Sequence, residues 1–172
     1  MLQDIREVLI SKEAIEAKTK ELAERISRDY KGKDLLVVGV ASELIKNITI
    51  PCEIDFMAVS SYGSSSETTG VVRILKDLDS EISGKHILIV EDIVDSGVTL
   101  SYLLNYLKTR NASSVEIASL LTKPSRRKVD IDCKYIGFET PDEFLVGYGL
   151  DYAEKYRNLP FIGILKREMY EK

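Results

Sequence analysis

The chain has 172 residues, 44% of them apolar and 30% charged, which is typical of one globular domain with a sizeable core. Its 24 basic residues are outnumbered by 28 acidic ones, so a dominant nucleic-acid-binding surface is not expected. One histidine, His86, and two distant cysteines, Cys52 and Cys133, exclude a disulfide framework and a Cys/His zinc site. No targeting segment and no run of 18 apolar residues is visible, so a cytoplasmic location is expected.

Residues 12–30 are predicted to form an amphipathic helix, with Ser11 as its N-cap and Gly32 after its end. Short apolar runs follow, and we predict strands at 35–40, 53–59, 70–75, 86–92, 115–121, 135–139, 143–149 and 161–166. The continuous apolar character of 35–40 and 87–90 is typical of strands buried on both faces of a parallel sheet. A second helix at 99–110 makes 86–121 a strand–helix–strand unit, which predicts the α/β class.

The connection after the strand 35–40 is shorter than this architecture normally requires. The chain runs directly into ASELIKNITIP, whose helical piece extends only from Ser42 to Asn47. A complete parallel crossover usually takes at least about 10–12 residues including its helix and loops. Either the connection is unusually tight, or chain is missing between Val40 and Ala41.

The most informative segment is ILIVEDIVDSGVT at positions 87–99. A buried strand leads into the acids Glu91 and Asp92, then Asp95, then small residues at the start of a helix. The carboxyl end of a strand in an open α/β sheet is where ligands bind, and a helix N-terminus favours phosphate. Three carboxylates beside an anion site suit Mg²⁺ or ribose hydroxyls, so the residues predict a sugar-phosphate site with Mg²⁺. The alternative is an ordinary loop in which Asp95 or Ser96 caps the helix.

This segment resembles the phosphoribosyl-diphosphate (PRPP) motif of the type I phosphoribosyltransferases. IDFMAVSSYG, RILKDL, SLLTKP and YIGFETPDEFLVGYGLDYAEKYRNLP extend the resemblance over nearly the whole chain, to the bacterial hypoxanthine(-guanine) branch. The resemblance implies a single domain, 1–172, with a parallel sheet flanked by helices. It also implies a small hood subdomain formed by the N-terminal helix and the C-terminal segment.

The resemblance also implies roles for individual residues. Glu91 and Asp92 would hold the ribose hydroxyls, directly or through Mg²⁺, and Asp95 would be the general base near the purine N7. The 5′-phosphate would be bound by Asp95, Ser96, Gly97, Val98 and Thr99. The purine would be bound by Lys123 at its 6-oxo group, by Phe144 through stacking, by the Leu145 backbone and by Asp151. Asp151 would complete a second Mg²⁺ site, Arg157 would contact pyrophosphate, and Ser61 and Tyr62 would begin a mobile lid. The basic run Arg126 to Lys128 is predicted to be a solvated turn.

The implied activity is a Mg²⁺-dependent transfer that joins hypoxanthine, and guanine as well, to PRPP, giving IMP or GMP and pyrophosphate. A homodimer or homotetramer is expected, with neither a nucleic-acid nor a membrane partner. Two alternatives stay open: a xanthine- or adenine-preferring transferase, and a nucleotide-sensing regulator on the same fold that binds nucleic acid. One departure concerns the family's Leu-Lys-Gly loop, which binds pyrophosphate and is absent after Val40. Either the chain lacks this loop, or the sequence omits it.

Overall fold

A computed structural model of the chain describes residues 1–39, 42–61 and 72–171. The helices are α1 (Lys12–Asp29), α2 (Ser42–Asn47) and α3 (Val98–Lys108). The strands are β1 (Ile5–Ile10), β2 (Leu35–Gly39), β3 (Glu53–Asp55), β4 (Ala58–Ser61), β5 (Val72–Lys76), β6 (His86–Val94), β7 (Ser114–Thr122), β8 (Tyr135–Glu139), β9 (Leu145–Val146) and β10 (Ile162–Leu165). Among the helices in these ranges, none is long and apolar enough to cross a membrane.

The centre of the molecule is a five-stranded parallel sheet in the order β3-β2-β6-β7-β8. Leu36, Val38, Ile87 and Ile89 face one side, where they pack with apolar residues of α3. Leu35, Val37 and Leu88 face the other side, where they pack with α1 and with Leu44 of α2. Both faces of β2 and β6 are therefore buried, which explains their continuous apolar runs. The predicted α/β class with a helix-covered parallel sheet is confirmed.

The two long helices begin and end close to the predicted positions. The Ser11 Oγ accepts a hydrogen bond from the Ala14 amide at 3.2 Å and caps α1. Helix α3 presents Leu100, Leu103 and Leu107 to the sheet, and β6–α3–β7 forms the predicted strand–helix–strand unit. Asn111 follows α3 with φ of 58°, a left-handed conformation that commonly ends helices.

A smaller antiparallel sheet, in the order β1-β10-β9, contains a strand that the sequence analysis missed. Strand β1 exposes three consecutive residues, Arg6, Glu7 and Val8, so it lacks the alternation that identifies a half-buried strand. Ile15, in the first turns of α1, packs with Ile10, Leu145, Ile162 and Ile164 around this sheet. The rest of α1 packs on the central sheet, so this helix spans the two sheets rather than belonging to a hood alone.

Two predicted strands are shorter in the structure. The run 53–59 is interrupted after Asp55, whose carboxylate accepts hydrogen bonds from the amides of Phe56 at 2.7 Å and Asp79 at 2.8 Å. Strand β3 therefore joins the central sheet, whereas β4 pairs with β5. The run 143–149 contributes only β9, because Gly147, Tyr148 and Gly149 all have positive φ and turn the chain back.

The short crossover after β2 is made with the six-residue helix α2. Strands β2 and β3 still pair in parallel, with Leu36 opposite Glu53 and Val38 opposite Asp55. The junction of Val40 and Ala41 lies outside the described residues, and so do Tyr62 and the rest of the expected lid.

Candidate active site

The acids Glu91 and Asp92 lie within β6, which continues to Val94, two residues beyond the predicted strand 86–92. Strand β2 stops at Gly39, opposite Val90, while β7 continues beside β6 as far as Val94. Glu91 and Asp92 therefore lie at the carboxyl edge of the sheet, just beyond the last residue of β6 that pairs with β2. There they line a cavity of about 690 Å³ together with Gly39, Tyr148 and Arg157. Gly39 is required at this edge because a Cβ there would come within 2.3 Å of the Val90 carbonyl oxygen.

The electrostatics of this acidic pair disfavour two negative charges. Burial, followed by the nearby charge of Asp92, raises the pKa of Glu91 to about 7. Asp92 is exposed at the cavity, yet the surrounding protein excludes enough water to raise the pKa of its carboxyl, and the charge of Asp151 adds to this effect. The Arg157 charge and the Ile93 amide, which donates to Asp92 Oδ1 at 2.6 Å, act in the opposite direction. A bound cation would offset the repulsion among these carboxylates.

Asp151 and Arg157 connect this cavity to a second one. Arg157 Nη2 lies 3.1 Å from Asp151 Oδ1, and Nη1 donates to the Gly149 carbonyl oxygen at 2.8 Å. Asp151 Oδ2 accepts a hydrogen bond from the Glu154 amide at 2.9 Å. Arg157 lines the first cavity and Asp151 lines the second, so the predicted pyrophosphate and purine residues are adjacent.

The second cavity, of about 520 Å³, brings together the predicted purine-binding residues. Asp95, Lys123, Phe144, Leu145 and Asp151 all line it. These residues come from distant segments of the chain. The segments meet because the ends of β7 and β8 are hydrogen-bonded: the Thr140 amide, just after β8, donates to the Thr122 carbonyl oxygen, at the end of β7. The amide of Leu165, the last residue of β10, donates a hydrogen bond to the Phe144 carbonyl oxygen at 2.8 Å and so holds Phe144 at the opposite wall of the cavity.

Lys123 is buried, and its Nζ donates to the Glu143 carbonyl oxygen at 2.7 Å. Burial lowers the pKa of this lysine, and the negative charge of Asp95 opposes the change. The buried ammonium has further N–H groups besides the one that donates to Glu143, and these are suited to a carbonyl oxygen of a ligand.

The ring of Phe144 is held by two aromatic residues that the sequence analysis did not identify. Tyr170 stacks on it with ring centroids 4.9 Å apart, and Tyr152 contacts it edge-on at 5.3 Å. Tyr170 also lines the second cavity. It lies in the chain's final residues, where no motif or periodicity pointed to a site.

Arg126 and Lys128 are exposed, as predicted for a solvated turn, but Arg126 also contacts a predicted site residue. Its Nε lies 3.1 Å from Asp95 Oδ1, and its Nη1 lies 3.3 Å from Asp142 Oδ1. The side chain is half exposed and lines the second cavity, where it forms an ion pair with Asp95, the predicted base. The charge pattern alone could not indicate this contact, because Asp95 and Arg126 are separated by the whole of α3 and β7.

Residues 95–99 form a loop that leads directly into α3. Gly97 is the N-cap residue of the helix, with φ of +80°, and has no side chain that could cap it. The nearest contact is a long one, 3.4 Å, from the Val98 amide to Ser96 Oγ. Amides of the first turn, including that of Thr99, are thus left to bind a ligand, and the helix dipole favours an anion.

The predicted metal residues do not form one cluster: over the described ranges, no three carboxylate, histidine or cysteine groups converge on a metal position. Glu91 and Asp92 are on β6, and Asp151 is across the cleft in the segment after β9. Each place therefore offers at most two carboxylate groups. That donor set fits Mg²⁺, which is usually held by one or two carboxylates, with substrate phosphates and water completing the octahedron. Ser61 ends β4, whereas Tyr62 lies outside the described residues.

The chain matches the family model "Phosphoribosyl transferase domain" over residues 8–153. It is 52% identical to the hypoxanthine-guanine phosphoribosyltransferase of Bacillus subtilis over an alignment of 178 residues that covers 99% of each chain. It is similar in structure to a hypoxanthine phosphoribosyltransferase from Staphylococcus aureus, with a TM-score of 0.97, 50% identity and coverage of 100% and 97%. A Trypanosoma cruzi hypoxanthine phosphoribosyltransferase, 36% identical, superposes with a TM-score of 0.91 over 98% of this chain and 99% of the other.

The length of the first alignment also bears on the short crossover. An alignment of 178 residues exceeds the 172 residues of this chain, so at least six positions of the Bacillus subtilis enzyme have no counterpart here. The sequence predicts missing chain at the short connection between β2 and β3, and a total of this size is compatible with that prediction. With a family model matching most of its length and relatives about 50% identical from end to end, the chain belongs to the phosphoribosyltransferase family.

Proposed function

We propose that the chain transfers the phosphoribosyl group of PRPP to hypoxanthine and guanine, giving IMP or GMP and pyrophosphate. The observation that carries this proposal is the second cavity, where a buried lysine, an aspartate and a phenylalanine meet beside the uncapped N-terminus of α3. The names of the relatives support the same activity. By the same relationship, we propose a cytoplasmic enzyme that works as a homodimer or homotetramer.

In this proposal, the purine N9 forms a bond to C1 of the ribose while the bond from C1 to pyrophosphate breaks. Phe144 stacks on the purine, and the Lys123 ammonium donates to its 6-oxo oxygen. Asp95 accepts the proton that the purine loses, at N7, and Arg126 holds that carboxylate in place at 3.1 Å. A 6-amino group would present donors to Lys123, which is why the proposal selects hypoxanthine and guanine over adenine.

The other end of the substrate would lie in the first cavity. Glu91 and Asp92 are suited to bind the ribose hydroxyls, and Arg157 is suited to bind pyrophosphate. Asp92 and Glu91 at one position and Asp151 at the other would hold Mg²⁺, which supplies positive charge as the leaving group becomes more negative. Residues 95–99 would bind the 5′-phosphate through backbone amides.

The decisive experiment is incubation of the protein with PRPP and Mg²⁺ and, in turn, hypoxanthine, guanine, xanthine and adenine, with pyrophosphate release as the readout. We expect turnover with hypoxanthine and guanine. Turnover with xanthine or adenine alone would assign a different base specificity. No turnover with any purine, together with tight binding of RNA or DNA, would overturn the proposal in favour of a regulator on this fold.

A further inference from the structure

We propose that Arg127 is a positioning residue for the 5′-phosphate of the substrate, supplying a positive charge that the phosphate loop itself lacks. The phosphate loop is defined here as residues 95–99, Asp-Ser-Gly-Val-Thr, which include one acid and no base. This inference rests on the function proposed above, because it concerns how that loop accepts a phosphorylated sugar.

The stem of Arg127 packs directly against the phosphate loop. A Cβ placed on Gly97 would lie 3.3 Å from Arg127 Cδ, and 3.2 and 3.0 Å from methyl groups of Val129 and Ile131. The amide of Lys128 donates to the Ser96 carbonyl oxygen at 3.0 Å. The segment 127–131 is therefore in contact with the loop through side chains and through the backbone.

The guanidinium of Arg127 is anchored on one side only. Its Nη2 donates to the Oγ1 of Thr122, the last residue of β7, at 2.7 Å. Its Nη1 is buried and has no hydrogen-bond partner among the described residues. In the same part of the chain, no carboxylate lies within ion-pair distance of it. A buried guanidinium nitrogen without a hydrogen-bond partner is costly, and an anion bound at the adjacent loop would reduce that cost.

The surroundings of the loop explain why a phosphate needs this charge. Glu91, Asp92 and Asp95 place carboxyl groups on the preceding strand and in the loop itself. The partial charge of a helix N-terminus amounts to about half a unit and does not balance a phosphate dianion beside them. Because the Arg127 stem packs on Gly97, its charge would act on a phosphate bound at the loop, by attraction and by holding the loop in shape.

The test compares Arg127→Gln with the unsubstituted protein in steady-state kinetics. The KM for PRPP is expected to rise about tenfold, whereas kcat and the KM for hypoxanthine stay within about twofold. The dissociation constant of IMP is expected to rise by a similar factor, while that of inosine, which has no phosphate, is unchanged. Arg127→Lys keeps the charge and should recover most of the affinity for IMP. A merely structural role would weaken IMP and inosine alike.

Two further variants keep the test decisive. Lys134→Gln removes a positive charge just before β8, towards the opposite edge of the sheet, and should leave the KM for PRPP unchanged. If Arg127→Gln does not fold, Thr122→Val removes the anchor of Nη2 and should raise the KM for PRPP about threefold. Unchanged affinity for PRPP and IMP in the folded variants overturns the role of Arg127 alone. Absence of turnover in the unsubstituted protein would instead overturn the proposed function.

Discussion

At the scale of single residues, the candidate site is a set of charged groups that already contact partners within the protein. Asp95 contacts Arg126, Asp151 contacts Arg157, and the Lys123 ammonium is turned to a backbone carbonyl oxygen. Each of these side chains has a partner within the protein and lines a cavity. The site is therefore organised in advance, which lowers the cost of binding a polar, charged substrate.

Asp95→Asn tests the proposed general base. An amide has nearly the shape of the carboxylate but cannot accept the purine proton, so turnover with hypoxanthine should fall by about 10²- to 10⁴-fold. The affinity for PRPP, measured by equilibrium binding, should change much less, by roughly threefold or under. Asp130→Asn, at an exposed carboxylate in the segment between β7 and β8, is the matched control. Unchanged turnover in Asp95→Asn would remove Asp95 from this role.

At the scale of elements, Asp55 connects three parts of the fold. Asp55 is the last residue of β3, and its buried carboxylate accepts hydrogen bonds from the amides of Phe56 and Asp79. Lys76, at the end of β5, has its Nζ 3.4 Å from Asp55 Oδ1. Burial by itself would raise the pKa of Asp55, but these hydrogen bonds and the Lys76 charge outweigh it and lower the pKa below its ordinary value. The ionised form of Asp55 therefore stabilises the junction between the central sheet and the β4–β5 pair.

Asp55→Asn should destabilise the protein in a pH-dependent way. At pH 7 the loss is expected to be about 1–3 kcal/mol, because an Asn amide group would face the Asp79 amide, donor against donor. A group with a lowered folded pKa contributes stability above its unfolded pKa and loses it as pH falls through the folded pKa. The difference in unfolding free energy between Asp55→Asn and the unsubstituted protein, measured by urea unfolding, should therefore shrink below about pH 4. Asp79→Asn, at an exposed ion pair with Lys76, should change stability little at either pH.

At the scale of the whole molecule, the site lies where the central sheet meets the smaller one. The carboxyl edge of the parallel strands supplies the acids and the phosphate loop, and the segments around β9 and β10 supply Phe144, Asp151 and Tyr170. Ile15 of α1 and Leu121 of β7 share a core with the smaller sheet, which couples the two sheets mechanically. A ligand in the cleft would contact both.

Binding of IMP should therefore stabilise the entire fold. At 100 times its dissociation constant, a ligand that binds only the folded state adds about 2.7 kcal/mol, or roughly 5–10 °C in Tm for a chain of this size. Differential scanning fluorimetry with IMP and with inosine at the same concentration measures the effect. Inosine should give a much smaller shift because it lacks the 5′-phosphate. Equal shifts would contradict binding of the phosphate by residues 95–99.

The parts of the fold that could be predicted are those that depend on local sequence patterns. The buried runs of β2 and β6 and the apolar spacing of α3 identify elements within about a dozen residues, because helix and strand periodicities differ. Strand β1 was missed because its partner β10 lies about 150 residues away and three of its side chains face solvent. Tyr170 and Arg126 were missed as site residues for the same reason, since their contacts depend on distant chain.

The sequence by itself determined the α/β class, the buried strand β6 and the run of acids and small residues that follows it, since these depend on neighbours along the chain. Only the tertiary structure decided which residues meet. Asp95 and Lys123 follow β6 and β7, whose carboxyl ends lie at one edge of the parallel sheet, and Phe144, just before β9, lines the same cavity. The contact of Arg127 with the phosphate loop was decided in the same way, by packing of the segment after β7 against Gly97.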